Sequence, residues 1–198
     1  MPRAEMIPFL GGALLFALLA VLPVTALVLR LAPRPEALRR GRLAVALFAL
    51  LMFLAMTQHP VPNPFTMRCP QPAAVPQWLP FSWIDLLYRM WRAHVGLSLW
   101  LGVREAQAAA MNFLICLLIG ALLVRAGFRP WPVTIFGAVM TLSIELTQLT
   151  GVWWLWPCPW RQFSTEDLLL NFLGMAAGAA LMRHRRPSPS LPPSQPSP

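Results

Sequence analysis

The sequence predicts an all-α membrane protein, a polytopic helical bundle of about five transmembrane helices with one further helix at the outer membrane interface. Of the 198 residues, 57% are hydrophobic and 12% are charged, whereas a soluble globular domain carries about 25% charged residues. The apolar residues also gather into five stretches of the length that a bilayer requires. Together these observations leave no part of the chain that could form a sizeable soluble domain.

Each predicted span is one apolar stretch, and a transmembrane helix needs roughly 20 such residues. The first stretch is too long for a secretory signal and lacks a small-x-small cleavage site, so we interpret it as a retained span. The second crosses the membrane only if Arg42 and Gln58 extend to the interface, and the alternative is a buried or re-entrant helix. The five stretches cover residues 6–31, 43–56, 108–124, 131–151 and 168–182.

The arginines predict how the helices are oriented. All 16 basic residues are arginine, against seven acidic residues, and nine of the arginines lie in the short segments "APRPEALRRGR", "RAGFRP" and "RHRR". With five spans these three segments share one side of the membrane, which the positive-inside rule makes cytoplasmic. We therefore predict a multi-pass protein of the inner cell membrane, with the N-terminus outside and the C-terminus in the cytoplasm. The net charge of +9 then reflects topology, and no binding to nucleic acid is expected.

The longest connection, residues 57–107, is predicted to lie on the outer side. Its first part is too rich in proline for a helix. This Pro-rich loop is the end of a predicted N-terminal region, residues 1–79, that contains the first two spans. The second part of the connection predicts an amphipathic helix in the outer interface, with a sixth span over residues 81–101 as the alternative. The residues at helical spacing there are Trp83, Leu87, Met90, Trp91 and His94. The Pro- and Ser-rich tail, residues 183–198, is predicted to be disordered.

The three cysteines fall in two different settings. Cys69 and Cys158 lie in predicted outer loops, where the compartment favours a disulfide, but the sequence leaves open whether they are bridged. Cys116 lies in the middle of the third span and is most simply a small core residue. The cysteines and histidines show no metal-ligand spacing, so neither a metal nor another cofactor is expected.

Polar residues recur on one face of each of the last three spans. In the fourth span, Thr141, Glu145 and Gln148 are spaced i, i+4, i+7 and therefore share a helix face. In the fifth span the same spacing aligns Asp167, Asn171, Gly174 and Gly178, and the third span has Asn112 about one turn in. Because of the span directions, all these polar groups are expected at one depth, just below the outer surface.

The predicted cluster has a counter-charge and a means of close packing. Arg161, in the loop between the last two spans, is the natural partner of Glu145 or Asp167. Gly174 and Gly178 form a small-xxx-small pair, which lets a neighbouring helix approach closely. A carboxylate inside a membrane is costly and usually functional, which favours a ligand-binding site. The alternative is a network of polar contacts that only holds the helices together.

At these residues the sequence resembles the VanZ-like membrane proteins. The family signature is a Glu and a Gln three apart, a loop Arg, then Asp, Asn and two Gly, and here it is matched by residues 145, 148, 161, 167, 171, 174 and 178. "PFSWI" at residues 80–84 and Asn112 match further family positions, although the family's Pro-Phe-Gly is replaced by "NFLICLLIG". The resemblance implies a VanZ-like membrane domain at residues 80–182 and a link with resistance to the glycopeptide teicoplanin.

Three functions follow from these observations as expectations. The first is a non-enzymatic protein that binds a lipid-linked cell-wall intermediate or a lipoglycopeptide among membrane lipids, through Asn112, Glu145, Gln148, Arg161, Asp167 and Asn171. The second is an intramembrane enzyme that acts on a lipid headgroup, with Glu145 or Asp167 as general base. No residue pairing supports a nucleophile, which favours the non-enzymatic interpretation. The third is a small transporter or an accessory subunit of a membrane complex.

Overall fold

The computed structural model describes residues 3–58, 63–69, 75–100, 102–159 and 161–183. Three predicted features lie outside these residues: His59, Trp160 and residues 184–198 of the tail predicted to be disordered. Arg183, the first residue of that tail, is helical. Within them the regular structure is helical, which confirms the all-α prediction. The helices are α1 (Arg3–Leu31), α2 (Arg40–Gln58), α3 (Trp83–Arg92), α4 (Leu97–Trp100), α5 (Arg104–Ala126), α6 (Pro130–Trp154) and α7 (Thr165–Arg183), with a short 3-10 helix at Pro35–Ala37.

Four helices of the described chain, α1, α2, α5 and α6, are long and apolar enough to cross a membrane. This confirms that the chain is a membrane protein. Helix α2 has 19 residues, which at about 1.5 Å per residue nearly matches the ~30 Å of hydrocarbon. Helix α7, the fifth predicted span, is also 19 residues long, but its first two turns carry Glu166, Asp167 and Asn171. Helices α3 and α4, with 10 and four residues, are too short for a sixth span.

Helices α5 and α7 form the centre of the bundle and run parallel in close contact. A Cβ atom at Gly174 would overlap the carbonyl oxygen of Phe113, and one at Gly178 would overlap that of Leu117. Glycine at these positions therefore allows the two backbones to touch. Helix α6 packs antiparallel against α7, α2 packs against α5, and α1 lies outermost against α2.

The right-handed part of α6 ends in an abrupt turn. Gly151, Val152, Trp153 and Trp154 all have φ between +51° and +65°, a conformation that is rare for a β-branched residue such as Val152. The N–H of Trp153 donates to Thr150 Oγ1 at 2.8 Å, which stabilises the turn. The turn reverses the chain and leads it back over the start of α7.

The long connection between α2 and α5 is held against the loop that precedes α7. Cys69 and Cys158 form a disulfide with a Cα–Cα distance of 5.9 Å, which joins residues 89 apart in the chain. The backbone N–H of Gln77 donates to Phe163 O at 2.8 Å, and Thr165 Oγ1 donates to Gln77 O at 2.6 Å. The chain is therefore held at Cys158, at Phe163 and at Thr165, the first residue of α7.

The opposite end of the bundle carries the arginine-rich connections. The N–H of Arg39 donates to Ala126 O at 2.8 Å, so the α1–α2 and α5–α6 connections meet there. We call residues 30–42, 125–130 and 183 the arginine-rich end, and the end that holds Glu145 and the start of α7 the cavity end. Glu36 is the one acidic side chain that the structure describes at the arginine-rich end.

Candidate functional site

A cavity of about 190 Å³ lies between α2, α5, α6 and α7 at the cavity end of the bundle. All six residues that the sequence predicts for a ligand site line it: Asn112, Glu145, Gln148, Arg161, Asp167 and Asn171. The rest of its wall is mainly apolar and comes from α2, α5 and α6. The structure thus brings residues from three predicted spans and one loop together at one depth.

Glu145 is the most deeply buried charged group in this wall, with 1% of its surface exposed. Its Oε2 accepts a hydrogen bond of 2.8 Å from the backbone N–H of Ser164, just before α7. Arg161 attracts the Glu145 carboxylate electrostatically, whereas Asp167 repels it. One backbone donor and one guanidinium therefore offset part of the cost of placing a carboxylate in an apolar bundle.

The second carboxylate of the cavity is that of Asp167, which lies in the first turn of α7. Ser164 caps the helix, because its Oγ accepts a hydrogen bond of 3.2 Å from the N–H of Asp167. The Asp167 side chain in turn accepts a bond of 2.8 Å at Oδ1 from Asn112 Nδ2 on α5. The positive end of the α7 dipole also favours a negative charge at this position. Asp167 is thus both part of the helix start and a link to α5.

Two amide side chains connect the cavity to α2 and to the middle of α5. Gln148 Nε2 donates to the carbonyl oxygen of Thr57, in the last turn of α2, at 3.0 Å. Asn171, which is 1% exposed, accepts from Cys116 Sγ at 3.5 Å. The contribution of α2 to the site was not predicted, because it consists of a backbone carbonyl and apolar side chains such as Phe53. A backbone acceptor leaves no signal in the sequence.

The exposed part of the cavity wall belongs to α5. Met111, which lines it, is 51% exposed, and Ala108, one turn earlier on the same face of α5, is exposed as well. By contrast, Glu145, Gln148 and Asn171 form the deep wall and are nearly inaccessible. The described tryptophans of the α6–α7 loop do not line the cavity.

Glu166 is a structural residue that was not predicted from the sequence. It is 5% exposed, and its two oxygens accept from the N–H of Phe81 at 2.8 Å and from Trp83 Nε1 at 2.6 Å. Helix α3, which the sequence predicts to lie in the outer interface, is thereby attached to the start of α7. Bonds between residues more than 80 positions apart could not be inferred from local spacing.

The polar groups of the cavity do not resemble a metal centre. Among the residues that the structure describes, no group of three or more His, Cys, Asp or Glu side chains is close enough to hold a metal ion. The described histidine His94 is exposed beyond α3 and does not line the cavity. The chemistry available in this wall is therefore that of two carboxylates, one guanidinium and three amides.

Similarity to known proteins is found at the level of a family. No curated protein and no solved structure matches the chain. A family model described as VanZ/LLP1 matches residues 43–186, which is most of the chain and includes every helix that lines the cavity. The match confirms the resemblance carried by the sequence motifs and extends it to α2. The chain therefore belongs to the VanZ/LLP1 family of membrane proteins.

Proposed function

We propose that this VanZ-family protein binds the headgroup of a cell-envelope amphiphile in the cavity, while the apolar part of the ligand remains in the bilayer. The observation that carries the proposal is the near-complete burial of Glu145 in the wall of an open cavity. A buried carboxylate without function would be selected against by its cost of roughly 2.5 to 3.5 kcal/mol in a membrane. A ligand with complementary groups would offset that cost.

The size of the cavity limits which part of a ligand can enter. Pockets that enclose a whole drug-sized molecule measure about 300 to 1,000 Å³, whereas this cavity measures about 190 Å³. A complete lipoglycopeptide or the sugar-peptide portion of a cell-wall precursor is too large for that space. The cavity supports binding of one small polar group, with the rest of the amphiphile outside.

The apolar mouth of the cavity on α5 supports a ligand that arrives from the membrane. The exposed residues Met111 and Ala108 flank the mouth, and both are apolar. An acyl chain can lie along such a surface at no cost in hydration while its headgroup occupies the polar interior.

We further propose that the cavity end faces the outside of the inner cell membrane, so that the ligand belongs to the outer leaflet. Eight arginines of the described chain lie at the arginine-rich end, which the positive-inside rule assigns to the cytoplasm. The Cys69–Cys158 disulfide lies at the cavity end, and disulfides persist in oxidising compartments outside the cytoplasm. Charge and cysteine chemistry thus support the same orientation.

The decisive test of ligand binding is Glu145→Gln, which keeps the shape of the side chain and removes its charge. We expect the variant to insert and fold but to lose most of its bound amphiphile, as measured by mass spectrometry of lipids that copurify with the protein. The matched control is Glu105→Gln, which removes an exposed carboxylate from the first turn of α5. Loss of glycopeptide resistance in Glu145→Gln cells alone would link the site to the family phenotype.

Two results would count against the binding proposal. One is an identical lipid profile for the native protein, Glu145→Gln and Glu105→Gln, which would leave the cavity as a packing network. The other is a lipid whose mass changes during incubation with the native protein but not with Glu145→Gln. That result would support the enzymatic alternative, with Glu145 or Asp167 as general base.

The orientation has its own test. Reporter fusions at Arg34 and Gln77 should give a cytoplasmic and an external signal, respectively. In native membranes, a thiol count after denaturation without reductant should detect Cys116 alone. A cytoplasmic signal at Gln77 would place the cavity in the inner leaflet and remove the outer-leaflet ligand.

A further inference from the structure

We infer that the group recognised in the cavity is a primary ammonium carried by the amphiphile. This inference rests on the proposed function and adds the chemical class of the headgroup. It depends on which hydrogen-bonding atoms of the wall are already used within the protein and which remain for a ligand. Four side-chain oxygens of the wall accept no hydrogen bond from the described chain.

Two of the amide side chains direct their donors to the protein. Gln148 uses Nε2 to bind Thr57 O, and Asn112 uses Nδ2 to bind Asp167 Oδ1. Each of these amides therefore keeps its carbonyl oxygen, together with one remaining N–H, for a ligand. Asn171 differs, because its oxygen accepts from Cys116. All three residues line the cavity, so two neutral acceptors belong to its wall.

The carboxylates each use one oxygen within the protein. Glu145 Oε2 is bonded to the Ser164 N–H, and Asp167 Oδ1 is bonded to Asn112. Within the described chain, no hydrogen bond is found at Glu145 Oε1 or Asp167 Oδ2. Glu145 is 1% exposed and lines the cavity, so its carboxylate meets the cavity rather than bulk water.

The charges of the wall favour the same kind of ligand. Two carboxylates face one guanidinium, that of Arg161, so the ionised wall carries an excess of one negative charge. In a medium of low dielectric constant such an excess attracts a cation and repels an anion more strongly than it would in water. A phosphate would meet one guanidinium but two carboxylates.

A primary ammonium satisfies both requirements. It supplies one positive charge and three N–H donors, in a group small enough for a cavity of about 190 Å³. A hydroxyl supplies a single donor and no charge, and a trimethylammonium supplies the charge without any donor. These three groups therefore separate the contribution of charge from that of hydrogen bonding.

The test uses dodecylamine, dodecanol and dodecyltrimethylammonium, added to the full chain in nanodiscs of phosphatidylcholine. Affinity is measured by titration calorimetry against empty nanodiscs. Because hydrogen bonds to charged groups are strong, we expect dodecylamine to bind on the order of 10- to 100-fold more tightly than either analogue. Glu145→Gln should remove most of that preference, and Glu105→Gln should keep it.

The outcomes distinguish this inference from the proposed function. Equal binding of dodecylamine and dodecanol, with loss of both in Glu145→Gln, would overturn the ammonium and leave amphiphile binding in place. Equal binding of dodecylamine and dodecyltrimethylammonium would overturn the role of the acceptors. If none of the three binds above the level of empty nanodiscs, the proposed function fails together with the inference. Asp167→Asn provides a second variant should Glu145→Gln fold poorly, and it too should reduce the preference for the amine.

Discussion

Helices α1 and α7 reverse the relation between hydropathy and burial that holds in soluble proteins. Helix α1 is the most apolar of the candidate spans, yet Leu19 and Leu22 are 70% and 72% exposed. Helix α7 begins with two acidic residues, yet Asn171 and Met175 are 1% and 0% exposed. The helix with charged and small residues occupies the centre of the bundle, and the helix rich in leucine lies at its edge.

The difference shows what drives packing when lipid is the solvent. Leucine gains little by leaving acyl chains for protein, so a leucine surface can face the bilayer at no cost. Glycine, alanine and paired polar groups gain more, because they allow backbones to approach and hydrogen bonds to form. Helix α1 follows the same rule on its packed side, where the buried residues include Ala13, Ala17 and Thr25.

The largest effect is expected from a bulky side chain in the contact between α5 and α7. In Gly178→Leu the new side chain overlaps the backbone of Leu117 and Ala121, neither of which can move aside as a flexible side chain would. We expect a loss of more than about 3 kcal/mol, at or above the upper range for overpacking. The measurement is the fraction of monodisperse protein in detergent and its thermal unfolding midpoint.

The matched control is Gly11→Leu in α1. A Cβ atom at Gly11 meets nothing within 4 Å, and the residue is exposed, so the added leucine extends into lipid. We expect the unfolding midpoint to stay the same or to rise slightly, because leucine also has the higher helix propensity. An equal fall in the unfolding midpoint of the two variants would show that this face of α1 packs against another group. The contrast between a lipid-facing α1 and a tightly packed α7 would then be wrong.

Much of this arrangement could be predicted because it is local in sequence. Apolar stretches indicated the position of each spanning helix, and the i, i+4, i+7 spacing indicated the faces on which Glu145, Gln148, Asp167 and Asn171 lie. Those faces had to converge, since polar groups at one depth of a membrane have few other partners. The small-xxx-small spacing of the α7 glycines likewise marked the face of α7 that meets α5.

The rest could not be predicted because it depends on contacts between distant segments. Gln148 bonds to the backbone of Thr57, 91 residues away, and any residue could supply that carbonyl. Glu166 bonds to Phe81 and Trp83, more than 80 positions away, and nothing in its local sequence indicates either partner. The left-handed turn that follows Gly151 has no sequence signature, because valine and tryptophan rarely adopt it.

A smaller loss of stability is expected where Glu166 of α7 holds the start of helix α3. Glu166→Gln keeps one acceptor oxygen but turns the other into a donor, which then opposes either the N–H of Phe81 or the indole N–H of Trp83. Losing one charge-assisted bond should cost about 1 to 3 kcal/mol, largely local to α3. Hydrogen exchange should accordingly become faster over residues 81–92, with little change in α5 or α7.

Glu105→Gln is again the control, since Glu105 is an exposed carboxylate at the start of a helix. It should leave the exchange of α3 unchanged. If Glu166→Gln also left it unchanged, the attachment of α3 would depend on the Cys69–Cys158 disulfide and the backbone bonds of Gln77 instead. Helix α7 would then have its central role only among the long helices of the bundle. Its contrast with α1 would not include the attachment of α3.

The smallest effect is expected at two buried threonines, and its sign differs between them. Thr25 in α1 donates Oγ1 to Val21 O at 2.6 Å, whereas Thr141 in α6 is 0% exposed and its Oγ1 has no partner among the described residues. Valine has the same shape as threonine, so each substitution removes only a hydroxyl. Thr25→Val should cost less than the roughly 0.6 kcal/mol that interhelical hydrogen bonds average in a membrane protein, because this bond lies within a single helix.

Thr141→Val should instead stabilise the protein by up to about 1 kcal/mol, because replacing an unsatisfied buried hydroxyl by a methyl group removes a desolvation penalty. The difference in sign is measured by unfolding both variants under the same detergent conditions. Thr141 lies one turn from Glu145 on the same face of α6, between the glycine-packed core and the cavity. A loss of stability in Thr141→Val would therefore mean that its hydroxyl bonds to a molecule that occupies the bundle beside Glu145. The polar interior would then extend one turn deeper than the cavity. The bound molecule, in addition to the close packing of the helices, would stabilise the centre of the bundle.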